Sequence, residues 1–349
     1  MKDTKNIYRR LADALNERSK WLPLVLCEEF YKLAGELFTP EQAGIANNMP
    51  IEPVTVEELA IKIPEIDIDA LRDKLDEMAV NGLVVIKERG GKKYYELLPL
   101  ALGSLELQFI AGQVDVRTRR IHVLYRKYHK AILNQLIEAP SSVSSTKTEG
   151  SKVIPVKKEL ATHMTVLPYD EVMGLIDSTE HMAAGTCVCR HAGELDGKPC
   201  DRPKDNICMV FGESVPYAVS HGFANLVSRD EARQIIDKAE RAGLVHQYTN
   251  NKDRYMDFLC NCCGCHCGML NGVIHSSSPS ITANAKWVIR IDDDNCTGCG
   301  ICIDRCWMNA LKIEGNMAVC DDNRCIGCGL CIYVCPSDAL KLIRRKIPA

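Results

Sequence analysis

No run of apolar residues in this chain is long enough to cross a bilayer, and its start, MKDTKNIYRRLADALNERSKW, has no apolar signal core. Gly-x-Gly-x-x-Gly after a strand and the phosphate loop ending in Gly-Lys-Ser/Thr are also missing, so nothing points to a nicotinamide, flavin or ATP site of its own. No Ser/His/Asp grouping stands out as nucleophilic machinery. Charge of one sign is lacking too: the formal net charge is −3, which gives no overall attraction to nucleic acid or an anionic membrane. With 46% hydrophobic and 26% charged residues, the chain of 349 residues has the make-up of a globular protein of two or three domains. A cytoplasmic protein or a peripheral subunit is expected.

Cysteine is nearly missing from the first half, where Cys27 is alone before residue 187, yet the chain carries 19 in all. A secreted disulfide protein would spread its cysteines more evenly and would need a signal. Clustered thiols in a reducing compartment read instead as metal ligands. Thiolate clusters of this density imply an oxygen-free setting.

The cysteine-poor part, expected as a domain over 1–140, is mostly helical in pattern. Thr39-Pro40-Glu41 marks a helix start, and Thr55-Val56-Glu57-Glu58 is a capping box. Ile68, Leu71, Leu75 and Met78 fall on one face of a further helix that Asn81-Gly82 ends. LVVIKE and KYYELL then flank RGGKK as a β-hairpin. Helix, turn, helix, hairpin over about 54–98 resembles a winged helix. Its second helix, however, carries Asp67, Asp69, Asp73, Asp76 and Glu77 against Arg72 and Lys74, a balance that phosphates would repel. A docking or dimerisation role is therefore expected rather than nucleic-acid binding, despite the basic wing residues Lys87, Arg89, Lys92 and Lys93. The basic helix over 117–139 reads as a packing or amphipathic surface helix, and the Ser/Thr-rich 141–150 as a linker.

The last domain, expected over 285–349, contains an internal repeat. CTGCGICIDRCWMNALKI starts at Cys296 and CIGCGLCIYVCPSDALKL at Cys325, each with the spacing Cys-x2-Cys-x2-Cys-x3-Cys and each ending in an Ala-Leu stretch expected to be helical. Zinc sites with four cysteines use two pairs of ligands rather than repeated quartets. The repeat resembles bacterial two-[4Fe–4S] ferredoxins. In that family three close cysteines wrap one cluster and the fourth reaches the other. The resemblance therefore implies Cys296, Cys299, Cys302 and Cys335 for one cluster, and Cys325, Cys328, Cys331 and Cys306 for the second. Gly298, Gly300, Gly327 and Gly329 would let backbone amides approach the sulfides. Trp307 stands where the family usually has proline, and Cys320 lies outside the pattern as an expected buried free thiol.

Between these parts, over 151–284, lie CVCRH at Cys187, then Cys200 and Cys208, and CNCCGCHCG at Cys260. Ser228-Arg-Asp-Glu231 caps a helix there that Gly243 stops, and SSSPSITAN (276–284) is the expected boundary to the ferredoxin part. The nine thiols Cys187, Cys189, Cys200, Cys208, Cys260, Cys262, Cys263, Cys265 and Cys267 are candidate ligands of one or two further clusters, of one cluster beside structural thiols, or of one cluster and a zinc ion. Crowding implies that Cys262 and Cys263 point to different sites. His191 and His266 read first as hydrogen-bond donors near a cluster and second as ligands, and Arg190 as a counter-charge or an ordinary surface residue. The phrases CVCRH, GLVH and CNCCGCHCG before a ferredoxin unit are similar to a group of anaerobe proteins described generically as 4Fe–4S-binding ferredoxin-domain proteins. That likeness, over about 180–343, implies electron transfer and cluster ligands in the middle domain.

The expected fold is thus α+β and multidomain: winged-helix-like, cysteine-rich and ferredoxin-like parts in order. The expected function is relay of single electrons between a redox partner, a flavin- or metal-containing oxidoreductase, and another site, with no catalytic residue of its own. Two alternatives stand beside it: a redox-sensing regulator, and an enzyme whose central cluster binds substrate. Homo-oligomers are compatible with all three.

Overall fold

A computed structural model describes residues 2–19, 24–138, 164–249 and 257–345. The Ser/Thr-rich stretch 141–150 lies outside the described residues. Two compact units make up the chain, one of residues 1–154 with 216–223 and the other of 155–215 with 224–349. The central and ferredoxin-like stretches therefore fold within a single unit.

The first unit contains α1 (Lys2–Arg18), α2 (Glu28–Leu37), α3 (Pro40–Ala46), α4 (Val56–Lys62), α5 (Ile68–Val80), the hairpin β1 (Val84–Arg89) and β2 (Lys92–Leu97), α6 (Leu105–Ile110) and α7 (Val116–Glu138). Capping boxes at Thr39 with Gln42 and at Thr55 with Glu58 start α3 and α4, and Asp67 caps α5. Leu71, Leu75 and Met78 are fully buried, whereas Ile68 of the same stripe is 36% exposed. A β-bridge from Val54 to Tyr95 ties the entry of α4 to the hairpin. Lys87 does not belong to a basic tip. Its Nζ lies 2.8 Å from Glu96 Oε2, and both side chains are almost wholly buried. Residues 216–223 join this unit, where Tyr217 donates its hydroxyl to the Ala79 carbonyl at 2.7 Å.

The second unit is built on a six-stranded antiparallel sheet ordered β3-β7-β8-β5-β4-β6. Its strands are β3 (Met164–Val166), β4 (Met182–Gly185), β5 (Cys208–Phe211), β6 (Asn225–Leu226), β7 (Val245–Thr249) and β8 (Asp257–Cys262). Alternation along these strands separates two faces. Met182, Ala184, Met209, Phe211 and Leu259 face α8 (Tyr169–Ser178) and α11 (Arg229–Arg241), packing on Val172, Ile176, Ala232 and Ile236. The opposite face presents Val245 and Cys262 to the ferredoxin core. Helices α9 (Val188–Leu195), α12 (Gly268–Ile274) and α13 (Pro279–Thr282) lie in the connections of this unit, whereas α10 (Val215–Ser220) falls almost wholly in the stretch that joins the first. α11 has the Ser228/Glu231 capping box and ends at Ala242, with Gly243 at a φ of +72°. The stretch 276–284 is not a bare boundary, because it forms α13 and the Ser280 amide donates to the Asn323 carbonyl at 3.0 Å.

The ferredoxin-like part comprises β9 (Trp287–Ile291), α14 (Ile301–Asp304), β10 (Leu311–Glu314), β11 (Met317–Cys320), α15 (Leu330–Tyr333) and β12 (Leu340–Arg344). Here β9 pairs with β12 and β10 with β11, both antiparallel. The Ala-Leu stretches expected to be helical instead lead into β10 and β12. Leu-Lys-Ile and Leu-Lys-Leu alternate apolar and charged residues, and a cross-strand partner satisfies their backbone. Cys306 and Cys335 lie in irregular backbone just past α14 and α15.

Candidate metal centres

The repeated loops gather their cysteines in crossed sets. Cys296, Cys299, Cys302 and Cys335 line one cavity of about 320 Å³. Cys306, Cys325, Cys328 and Cys331 line another of about 410 Å³, together with Cys320 and Trp307. Backbone geometry explains the glycines: Gly298 and Gly327 have φ of +66° and +69°, and a Cβ on either would stand 2.4 Å from a carbonyl oxygen, of Asn316 and Trp287 respectively. Backbone amides reach the sulfurs as well, Ala318 to Cys296 Sγ and Ala310 to Cys306 Sγ, each at 3.4 Å. Four soft thiol donors around each cavity suit a four-iron cluster. Cys320, half-buried on β11, neighbours Cys325; its thiol draws the Cys325 thiol down to about 6 and is itself raised.

The nine central cysteines divide into two groups. Six form a closed ring in which each thiol perturbs the ionisation of the next: Cys187, Cys208, Cys260, Cys262, Cys267, Cys189 and back to Cys187. The Cys262–Cys267 sulfur separation is 3.2 Å. The sheet creates this ring. Cys260 and Cys262 share a face of β8 because they are two residues apart, and the register that sets Met209 opposite Leu259 brings Cys208 beside Cys260. Cys187 follows the end of β4 as the N-cap of α9, Cys189 is in that helix, and Cys267 caps α12, where its sulfur accepts from the Leu270 amide. Neighbouring thiols draw Cys187, Cys260 and Cys267 down and push Cys189, Cys208 and Cys262 up.

Asn261 turns to the other face and fixes the strand from behind. Its side-chain oxygen lies 2.6 Å from His246 Nδ1, and its amide donates to the Ile207 carbonyl, next to Cys208. Its backbone carbonyl accepts from Arg190 Nη1 at 3.0 Å. Arg190 is 1% exposed. Burial opposes its charge, but Cys187, Cys208 and Cys263 around it outweigh that and raise its pKa. His191 is placed near Glu194, its Nδ1 3.7 Å from the carboxylate.

The remaining group is Cys200, Cys263, Cys265 and His266, whose ligand atoms all lie within 4.8 Å of one another. Cys263 is therefore in a different group from its neighbour Cys262.

A seam inside the second unit links these groups to the ferredoxin loops. Trp307, next to Cys306, lies against Gly264, where a Cβ would come within 2.2 Å of the ring. Its Nε1 donates to the Gly243 carbonyl at 2.8 Å, and the Arg202 guanidinium stacks 4.6 Å from the ring centroid. Arg305 donates to the carbonyls of Glu240 and Arg241, and Arg202 to that of Ala242, so two arginines satisfy the C-terminal end of α11. Sequence reasoning left Trp307 as a departure from a family habit and did not single out Arg202, Asn261 or His246. Only the packing identifies them.

Residues 288–340 match the family model described as a 4Fe-4S dicluster domain. No curated protein and no solved structure matches the chain. With that match and its cysteines the chain is an iron–sulfur protein of mixed helix and strand, and no helix among the described residues is long and apolar enough to cross a membrane.

Proposed function

We propose that this protein relays single electrons through the two ferredoxin-like clusters and a further iron–sulfur cluster held within the six-thiol ring. Cys296, Cys299, Cys302 and Cys335 would hold one cluster, Cys325, Cys328, Cys331 and Cys306 the second, and thiols of the ring the third. When bound, such clusters supply one-electron chemistry over a wide range of potentials. The observation that carries the reading is the shared core: ring residues Cys262 and Cys267 pack in the same apolar cluster as Cys302, Cys325 and Cys331. An apolar, water-poor path of that kind suits passage between centres. The chain's own residues do the remaining work. Arg190 offsets thiolate charge, Asn261 and His246 hold the cysteine strand in register, and Trp307 seats the second ferredoxin loop on the central segment.

The redox partner would be a flavin- or metal-containing oxidoreductase. The first unit would dock it, or a second copy of this chain, through its α4, α5 and hairpin stretch, whose order resembles a winged helix. Neutralised charge disfavours the regulator reading. Arg72 and Lys74 of α5 are paired with Asp69 and with Glu41 and Glu77, and Lys87 is held by Glu96.

Oxygen-free purification followed by iron and sulfide analysis tests the relay. Three four-iron clusters require about twelve irons per chain. About eight would mean that the ring holds no cluster, and the relay through it fails.

A further inference from the structure

We propose that Cys200, Cys263, Cys265 and His266 hold one zinc ion, in a mononuclear site distinct from the iron–sulfur ligands. Size is the first reason. A tetrahedral zinc ion with bonds of about 2.3 Å to sulfur and about 2.0 Å to nitrogen brings its ligand atoms to roughly 3.5–3.8 Å from one another. All four ligand atoms here lie within 4.8 Å, and Cys200 Sγ is 3.5 Å from Cys265 Sγ. A four-iron cluster instead gives each thiolate its own iron and spreads the sulfurs. The protein contains its own comparison: the eight cysteines of the dicluster domain form no such compact group among the described residues. Three thiolates and one imidazole are a donor set of structural zinc.

The histidine is the second reason, and it is independent of the spacing. His266 Nε2 lies 2.8 Å from the Lys198 carbonyl, which can only accept, so the ring proton is on Nε2. Nδ1 is then a lone pair, and it is buried with no hydrogen-bond partner. An imidazole that groups with three thiols, with one nitrogen tied to a backbone carbonyl and the other buried without a partner, is arranged as metal ligands are. Gly193 completes the cradle. A Cβ there would stand 2.2 Å from His266 Cδ2 and 2.6 Å from Nε2, so α9 can close on the ring only at glycine. Arg190, beside Cys263, offsets the single negative charge that three thiolates and a neutral imidazole leave on zinc. The ion would clamp the loop carrying Cys200 to the CNCCGCHCG segment, under Arg202 and Trp307. This assignment does not depend on electron relay.

The test is zinc and iron content of the full-length protein purified without oxygen, with X-ray absorption at the zinc edge. One zinc per chain with three sulfur neighbours and one nitrogen is expected. Gly193→Ala, which alters no ligand, should lower zinc several-fold at unchanged iron. His266→Cys should keep the zinc with four sulfur neighbours. Absence of zinc from the wild-type protein, a wild-type shell of four sulfurs, or loss of iron in step with zinc in Gly193→Ala would each overturn the assignment.

Discussion

Gly264 and Trp307 are forced into mutual dependence, and the cost of breaking it can be worked out. A methyl group at position 264 would lie 2.2 Å from Trp307 Cε3 and 2.7 Å from Cδ2 and Cζ3. The indole cannot simply slide, since the Gly243 carbonyl holds its nitrogen at 2.8 Å and Arg202 stacks on its face. Gly264→Ala should therefore destabilise the second unit by about 1–3 kcal/mol, the usual range for overpacking. Trp307→Ala removes a hydrogen bond worth about 1 kcal/mol, a cation–π contact of about 0.5–1 kcal/mol and part of a ring's burial. It also removes the obstacle. In the Trp307→Ala background the alanine at 264 should then cost almost nothing, so the pair deviates from additivity by about 1–3 kcal/mol. For a unit of this size 1 kcal/mol corresponds to about 2–4 °C. Apparent thermal midpoints of the loaded protein, taken without oxygen at one scan rate, should fall by about 2–12 °C for Gly264→Ala alone and by under about 2 °C when Trp307 is already alanine. Equal falls in both backgrounds would refute the packing and with it the seam.

Other consequences can be checked separately. Cys320→Ala removes the thiol neighbouring Cys325 and should leave iron content unchanged. If a thiol bond there contributes about 0.5–1.5 kcal/mol to the reduced state, one cluster potential falls by roughly 20–65 mV; redox titration followed by EPR decides, and an unshifted potential removes Cys320 from any tuning role. Lys87→Met leaves Glu96 buried without its cation and should cost about 3–5 kcal/mol, while Lys87→Met with Glu96→Leu should recover most of it; denaturant midpoints that simply add would refute the buried pair. Asn261→Leu keeps the bulk of the side chain but drops the bonds to His246 and Ile207, which should loosen the cysteine strand, lower iron per chain and leave zinc in place. Metal analysis showing full iron would contradict its positioning role. Chelation of all metals should collapse protease resistance in the second unit well before the first, and equal protection of both units would argue against metal-coupled folding.

What could be read in the sequence, and what could not, follows from the range of each interaction. Capping boxes at Thr55 and Ser228, the glycine stop at Gly243 and the hairpin turn at Gly90-Gly91 are local, and the residues that form them are within a few positions of one another. The ferredoxin repeat is legible for the same reason. The Ala-Leu stretches were not, because short segments with helix-forming residues take their conformation from a partner strand that lies far away in sequence. Central ligand grouping was also out of reach. It depends on the register between β5 and β8 and on where α9 and α12 begin, which together bring Cys187 next to Cys208 and Cys267 next to Cys189. The excursion of 216–223 into the first unit has no signal in its composition at all.

Electrostatics favours a metal at such a sheet end. Nine thiols collect there, six of them in a ring whose members shift one another's ionisation. Arg190 is the buried cation at this point, and one guanidinium cannot neutralise three or more thiolates. The backbone behind the ring has no slack to absorb the charge, since the carbonyl of Asn261 is committed to Arg190 and its side chain to His246 and Ile207. Bound metal would supply the missing positive charge and remove the need for thiol protons, which would link loading and folding of this region through the same protons. The ferredoxin loops face a milder form of the problem, with backbone amides directed at Cys296 and Cys306. The central site has the Leu270 amide on Cys267 and the Arg190 guanidinium against nine thiols, so a bound metal would carry most of the charge balance on the cysteine face of the sheet.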